Sequence, residues 1–141
     1  MIRKETQISL GILKLWSRMK TNIESVAEYH GLTLPQVFLL HTLYNDDKII
    51  MASLAKRLHC DASNVTSLVD RLENKALIAR HDVSGDRRAK QLTITEKGKE
   101  FIEDVLSKLD NETGLSSLSL KEMDTLEKII SKMNKTARTN K

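Results

Sequence analysis

The side chains best equipped for chemistry lie between Lys56 and Arg88, and they are hydrogen-bond donors and cations rather than nucleophiles. Arg87 and Arg88 follow Ser84-Gly85-Asp86, a turn-forming run in which Gly85 can take positive φ without steric cost. Ala79-Arg80-His81 before the turn and Lys90-Gln91-Leu92-Thr93-Ile94 after it have the character of two pairing strands, so the arginines fall on a projecting hairpin. A planar, weakly hydrated guanidinium on a narrow projection suits the concentrated negative potential of a DNA minor groove. Upstream, a helix from Asp61 to about Lys75 presents Val65, Leu68, Val69 and Leu72 on one face. Ser63, Asn64, Thr66, Ser67 and Arg71 fall largely on the other. Amides and guanidiniums pair bidentately with base edges, and small hydroxyl side chains let a helix backbone come close to them. The preceding segment Leu54-Ala55-Lys56-Arg57-Leu58 has apolar residues at helical spacing and offers Lys56 and Arg57 to phosphates before His59-Cys60-Asp61 breaks the pattern. A basic hairpin tip or a polar helix face, taken singly, is an ordinary solvated surface. A helix-turn-helix followed at this distance by a basic wing is a DNA reader.

These groups must be held by a largely helical frame, because the chain has only one proline and five glycines to interrupt it. A first helix is predicted over about Lys4–Tyr29, with apolar residues from Ile8 to Ala27 at helical intervals and Gly31 as its terminator. Thr33-Leu34-Pro35-Gln36 forms a capping box for a second helix ending near Asn45. Thr95 caps a fifth helix, and Ser119-Leu120-Lys121-Glu122 opens a last one whose stripe runs through Met123, Leu126, Ile129, Ile130 and Met133. Three local expectations follow from these elements. Asp61 should cap the polar helix with its carboxylate. Ile49-Ile50-Met51 offers the third helix no capping side chain, so its first turn should fray. The terminal helices carry more apolar surface than a winged domain of about 60 residues can cover, which predicts mutual packing across a two-fold axis.

Five segments, in order, carry a family resemblance: Leu54–Leu58; Val65-Thr66-Ser67-Leu68-Val69-Asp70-Arg71-Leu72-Glu73; Leu77-Ile78-Ala79-Arg80; Asp82 with Asp86-Arg87-Arg88; and Leu92-Thr93-Ile94-Thr95-Glu96-Lys97-Gly98. The stretch Leu34–Gly98 resembles the winged helix-turn-helix of the MarR (multiple-antibiotic-resistance regulator) family of transcription factors. The resemblance implies a mainly α (α+β) fold with a β-hairpin wing and long N- and C-terminal dimerisation helices. It divides the chain into residues 1–32 and 99–141 for dimerisation and 33–98 for DNA. A homodimeric repressor is implied, bound to double-stranded DNA at an inverted repeat with half-sites about one helical turn apart. The resemblance further implies that Arg88 turns back to pair with Asp86 or with an acid such as Asp61, leaving Arg87 for the minor groove. Family members also take a small, often aromatic or anionic effector between the dimerisation helices and the winged domain, where Trp16, Met19, His41 and Tyr44 could line a cleft. Ala76 departs from the family pattern, which has glycine as the helix terminator there; a left-handed alanine costs about 1 kcal/mol.

Composition narrows the alternatives. The 141 residues make one domain's worth of chain, and a net charge of +4 favours an anionic partner. No run reaches the length of a membrane span and no signal core opens the chain, so a cytoplasmic protein is expected. The single cysteine, Cys60, excludes an internal disulfide. As a packed turn residue it is a small hydrophobe; a redox-responsive regulator acting through Cys60 is the alternative. His30, His41, His59 and His81 are scattered and none follows His81, so no metal or other cofactor is expected. No phosphate-binding glycine loop and no nucleophile motif occurs, which speaks against an enzyme. A winged-helix protein-interaction module without DNA binding would carry acids on the recognition face; Asn64, Arg71 and Arg87 are there instead.

Overall fold

The computed structural model describes residues 1–58 and 61–139. Cys60 and His59, and with them the redox alternative, lie outside the described residues. Helix α1 (Lys4–Tyr29) ends where Gly31 takes φ 67°, with Leu32 N–H donating to the Ala27 carbonyl at 2.8 Å and Gly31 N–H to that of Glu28 at 2.8 Å. Helix α2 (Leu34–Asn45) opens with the expected capping box: Thr33 N–H donates to Gln36 Oε1 at 2.8 Å. It is the central scaffold, with Leu39, Leu40 and Leu43 fully buried. Helix α4 (Ala62–Asn74), with Val65, Val69 and Leu72 buried, packs on it, and α3 (Met51–Leu58), with Leu54 buried, packs on α4. A three-stranded antiparallel sheet follows in the order β1-β3-β2, formed by β1 (Ile49–Ile50), β2 (Ile78–Val83) and β3 (Asp86–Ile94). Helix α5 (Glu96–Glu112), a short 3-10 turn (Leu115–Ser117) and α6 (Leu120–Thr139) complete the chain. Thr95 and Ser119 cap α5 and α6 as their side chains predict: Gly98 N–H donates to Thr95 Oγ1 at 3.1 Å, and Ser119 N–H to Glu122 Oε2 at 2.8 Å.

The starts of α3 and α4 differ from expectation in detail. Ile49 and Ile50 form a strand that leads into α3. They pair with Leu92 and Gln91 of β3, and the strand, braced by Ser53 Oγ donating to the Ile50 carbonyl at 2.8 Å, hands the chain directly into the helix. Two β-branched residues in succession were the available signal. Asp61 occupies the N-cap of α4 with the extended backbone of that position, but its side chain accepts no capping hydrogen bond. The first turn is exposed, so solvent can serve its N–H groups as well as the carboxylate would.

The alanine at the end of α4 behaves as glycine would. Ala76 has φ 58°, Leu77 N–H donates to the Leu72 carbonyl at 3.0 Å and Ala76 N–H to that of Glu73 at 2.8 Å. This is the same two-bond closure that ends α1. Leu72 and Leu77, both buried, lie on either side of it, and Thr95 Oγ1 and Lys97 Nζ donate to the Ala76 and Lys75 carbonyls at 2.7 and 3.0 Å. The surrounding bonds over-determine the turn, so the left-handed strain persists.

Helices α1 and α6 are only partly covered by their own chain. In the 26 residues of α1 only Ile23 and Ala27 are buried, whereas Ile8, Ile12, Leu15 and Trp16 are exposed. On α6, Ile129, Ile130 and Met133 are each about half exposed. Among the described residues no helix is long and apolar enough to cross a membrane.

Candidate nucleic-acid interface

Helix α4 is buried along one stripe and divides its polar residues between a crest and two flanks, because residues at i, i+3, i+4 and i+7 share a face. Ser63 and Asp70 lie on the crest opposite Val65, Val69 and Leu72, with Ser67 beside them. Asn64, Ser67, Leu68 and Arg71 form the flank turned toward α2, where they line a groove with Pro35, Phe38 and Leu58. Thr66 belongs to the other flank. With Ala62 and Val65 it faces a groove whose far wall is Asp86, Arg88, Ala89 and Lys90. The Thr66 hydroxyl donates to the Ala62 carbonyl at 3.1 Å, which leaves its oxygen lone pairs free to accept. Ser63, Asn64, Thr66, Ser67 and Arg71 are all exposed. The structure therefore brings the predicted reading residues onto one helix but not onto one face.

The wing has the expected turn and an unexpected irregularity. Ser84 and Gly85 join Val83 to Asp86, with Gly85 at φ 86°. From the pair Asp82↔Lys90 to the pair Val83↔Asp86 the chain takes one step on β2 and four on β3, so Arg87, Arg88 and Ala89 oppose no residue of β2. A bulge of this kind re-aims side chains that a regular ladder would alternate between its two faces. Arg87 and Arg88 are both exposed. Arg88 meets Asp86 through its backbone, its N–H donating to Asp86 Oδ1 at 2.9 Å; its guanidinium pairs with neither Asp86 nor Asp61, contrary to the expectation from the resemblance.

Other residues brace the wing. Lys90 pairs with Asp82 across the strands and holds that carboxyl below its usual range. Arg80 pairs with Asp70 of α4 and brings Nε to 3.2 Å from Glu73 Oε2, close enough for charge attraction but without hydrogen-bond geometry. The Arg80 pair ties β2 to α4 and partners the crest acid Asp70, a role that sequence reasoning missed. Charges ten positions apart announce no such pairing until the hairpin folds back. Lys56 is exposed on α3 and forms no ion pair with a described residue, whereas Arg57 Nη1 lies 2.5 Å from Asp46 Oδ2 and ties the end of α3 to the loop after α2.

Trp16 and Met19 lie on α1, and His41 and Tyr44 on α2. Asn45 Nδ2 lies 2.9 Å from His41 Nε2, and Tyr44 Oη donates to Glu103 Oε1 at 2.9 Å, a bond that raises the Tyr44 hydroxyl above its ordinary pKa. The cavity between α1 and α5 is lined by other residues, Ile23, Val26, Val105 and Leu109 among them. Among the described residues no three His, Cys, Asp or Glu side chains are placed to hold a metal ion.

The MarR family model matches residues 32–90. The HTH-type transcriptional repressor MdtR of Bacillus subtilis (strain 168) is 31% identical over 137 residues, covering 96% of this chain and 88% of that protein. The crystal structure of S. aureus MepR in its DNA-binding conformation is similar with a TM-score of 0.78 at 27% identity, over 92% of this chain and 98% of that one. A mutant MepR bound to an oligodeoxyribonucleotide gives a TM-score of 0.66 at 27% identity, over 92% and 97% of the two chains. With the family's motifs in order along the helix-turn-helix and wing, and with MdtR matched over most of both chains, this chain belongs to the MarR family.

Proposed function

We propose that this chain is a transcriptional repressor that binds an inverted-repeat operator in duplex DNA as a homodimer. The observation that carries the reading is the groove shared by α4 and the wing: Thr66 stands on one wall and Arg88 and Lys90 on the other, with the exposed Arg87 beside them. Helix and hairpin thus present polar side chains across one groove, Thr66 facing Arg88 and Lys90 with Asp86 among them, an arrangement suited to a major groove and the minor groove next to it. Ser63, Asn64, Ser67 and Arg71 read base edges, Lys56 contacts phosphate, and Arg57 joins it when the duplex competes with Asp46. The exposed apolar stripes of α1 and α6 support the division into dimerisation segments 1–32 and 99–141 around a DNA-binding unit 33–98. MdtR, a named repressor, and MepR, seen with an oligodeoxyribonucleotide, favour the same reading. In it the chain is a cytoplasmic regulator and not an enzyme, and a small effector contacting Trp16, Met19, His41 and Tyr44 loosens the complex by favouring a different spacing of the two reading heads.

The test is selection of bound duplexes from a random pool at near-physiological salt, with sedimentation of the free protein. An enriched inverted repeat and a dimer are expected. A folded dimer that enriches no sequence would sink the reading in favour of a protein-interaction module.

A further inference from the structure

The groove on the α2 side of the recognition helix has an apolar floor that duplex positioning alone does not require. Pro35, Phe38, Leu58 and Leu68 line it, together with Asn64 and Arg71. Phe38 is 44% exposed although it sits on the scaffold helix, while the other phenylalanine of the chain, Phe101, is buried. At this exposure the ring is only partly covered, and it offers apolar surface to a partner beside the proposed base-reading side chains. Those side chains define what comes next to it: an amide suits adenine, a guanidinium suits guanine, and the one apolar feature of a major-groove edge is the 5-methyl group of thymine.

We propose that Phe38, with Leu68 beside it, receives a thymine methyl in each half-site, so that a residue of α2 outside the recognition helix sets part of the sequence preference. The inference rests on the DNA-binding reading above. The polar readers then fix the neighbouring base pairs while the groove distinguishes thymine from uracil by the 5-methyl group, which cytosine lacks as well. Removing a methyl of this kind is expected to weaken binding about fourfold per half-site, the equivalent of one buried CH₂.

The experiment uses the selected operator and replaces each thymine in turn by deoxyuridine, for the full-length protein and for Phe38→Ala and Phe38→Leu. One thymine position per half-site should lose about fourfold with the unmodified protein. It should lose clearly less with Phe38→Ala, where only Leu68 remains, and an intermediate amount with Phe38→Leu, which keeps an apolar group in place. Equal deoxyuridine penalties for unmodified protein and Phe38→Ala at every position, which is the same as an equal fall of Phe38→Ala on thymine and deoxyuridine duplexes, overturn the proposal and would make Phe38 a support for Arg71 only. Failure to obtain any operator strikes the DNA-binding reading instead, so the two failures are distinct.

Discussion

At the scale of single residues, the proposed interface would separate affinity from selectivity. Arg87 stands in the wing bulge, exposed and suited to the phosphate-rich minor groove, whereas Asn64 stands on a flank of α4 with an amide suited to a base edge. Arg87→Ala is therefore expected to weaken binding to all duplexes alike and to lower the slope of log K against log salt by about 1 for each phosphate no longer neutralised. Asn64→Ala should leave that slope in place and cost about 1–3 kcal/mol of discrimination at one base position. Salt titrations on operator and scrambled duplexes measure both. Identical behaviour of the two variants would contradict the assignment.

At the scale of elements, the junction of α4, β2 and α5 decides how the wing is carried. Ala76 holds a left-handed conformation that glycine adopts freely, so Ala76→Gly is expected to stabilise the fold by about 0.5 kcal/mol, the relieved strain exceeding the added freedom of the unfolded chain. Gly98 is the opposite case. A Cβ there would collide with the Leu77 carbonyl oxygen and lie 2.8 Å from Ile94 Cγ1, so Gly98→Ala should push α5 off the sheet and cost at least about 2 kcal/mol. Denaturant midpoints of the two variants should move in opposite directions. Lys108 Nζ at 2.7 Å, one turn along α5, and His30 Nε2 at 3.4 Å, from the cap of α1, hold the Asp104 carboxyl below its ordinary value of 3.8. A depressed carboxyl stabilises the fold above its unfolded pKa and loses that contribution as pH falls through the lower folded value. Melting temperature should therefore fall less steeply below about pH 4 in Asp104→Asn than in the unmodified protein. Parallel acid limbs would mean that Asp104 carries none of the acid sensitivity.

At the scale of the whole molecule, the exposed apolar stripes of α1 and α6 are the surfaces that the proposed second copy would cover. Ile130 is half exposed in the single chain and lies on the α6 stripe between Leu126 and Met133. Ile130→Glu is expected to shift sedimentation toward monomer and, by uncoupling the two reading heads, to weaken operator binding at least about tenfold while nonspecific binding changes little. An unaltered dimer would place the interface elsewhere. The sequence by itself determined the helices, the capping boxes at Thr33 and Ser119, the cap at Thr95 and the hairpin turn at Gly85, because each depends on side chains within a few positions of the backbone they serve. It also brought the helix-turn-helix and wing into order, since apolar periodicity is a local signal. Tertiary structure alone decided that Arg80 pairs with Asp70, that Arg57 is held by Asp46, that the wing arginines stand in a bulge, and that Phe38 lines a groove with the recognition helix. Those outcomes depend on partners brought close by folding of the scaffold, and spacing along the chain carries no record of which exposed charge or ring will meet which.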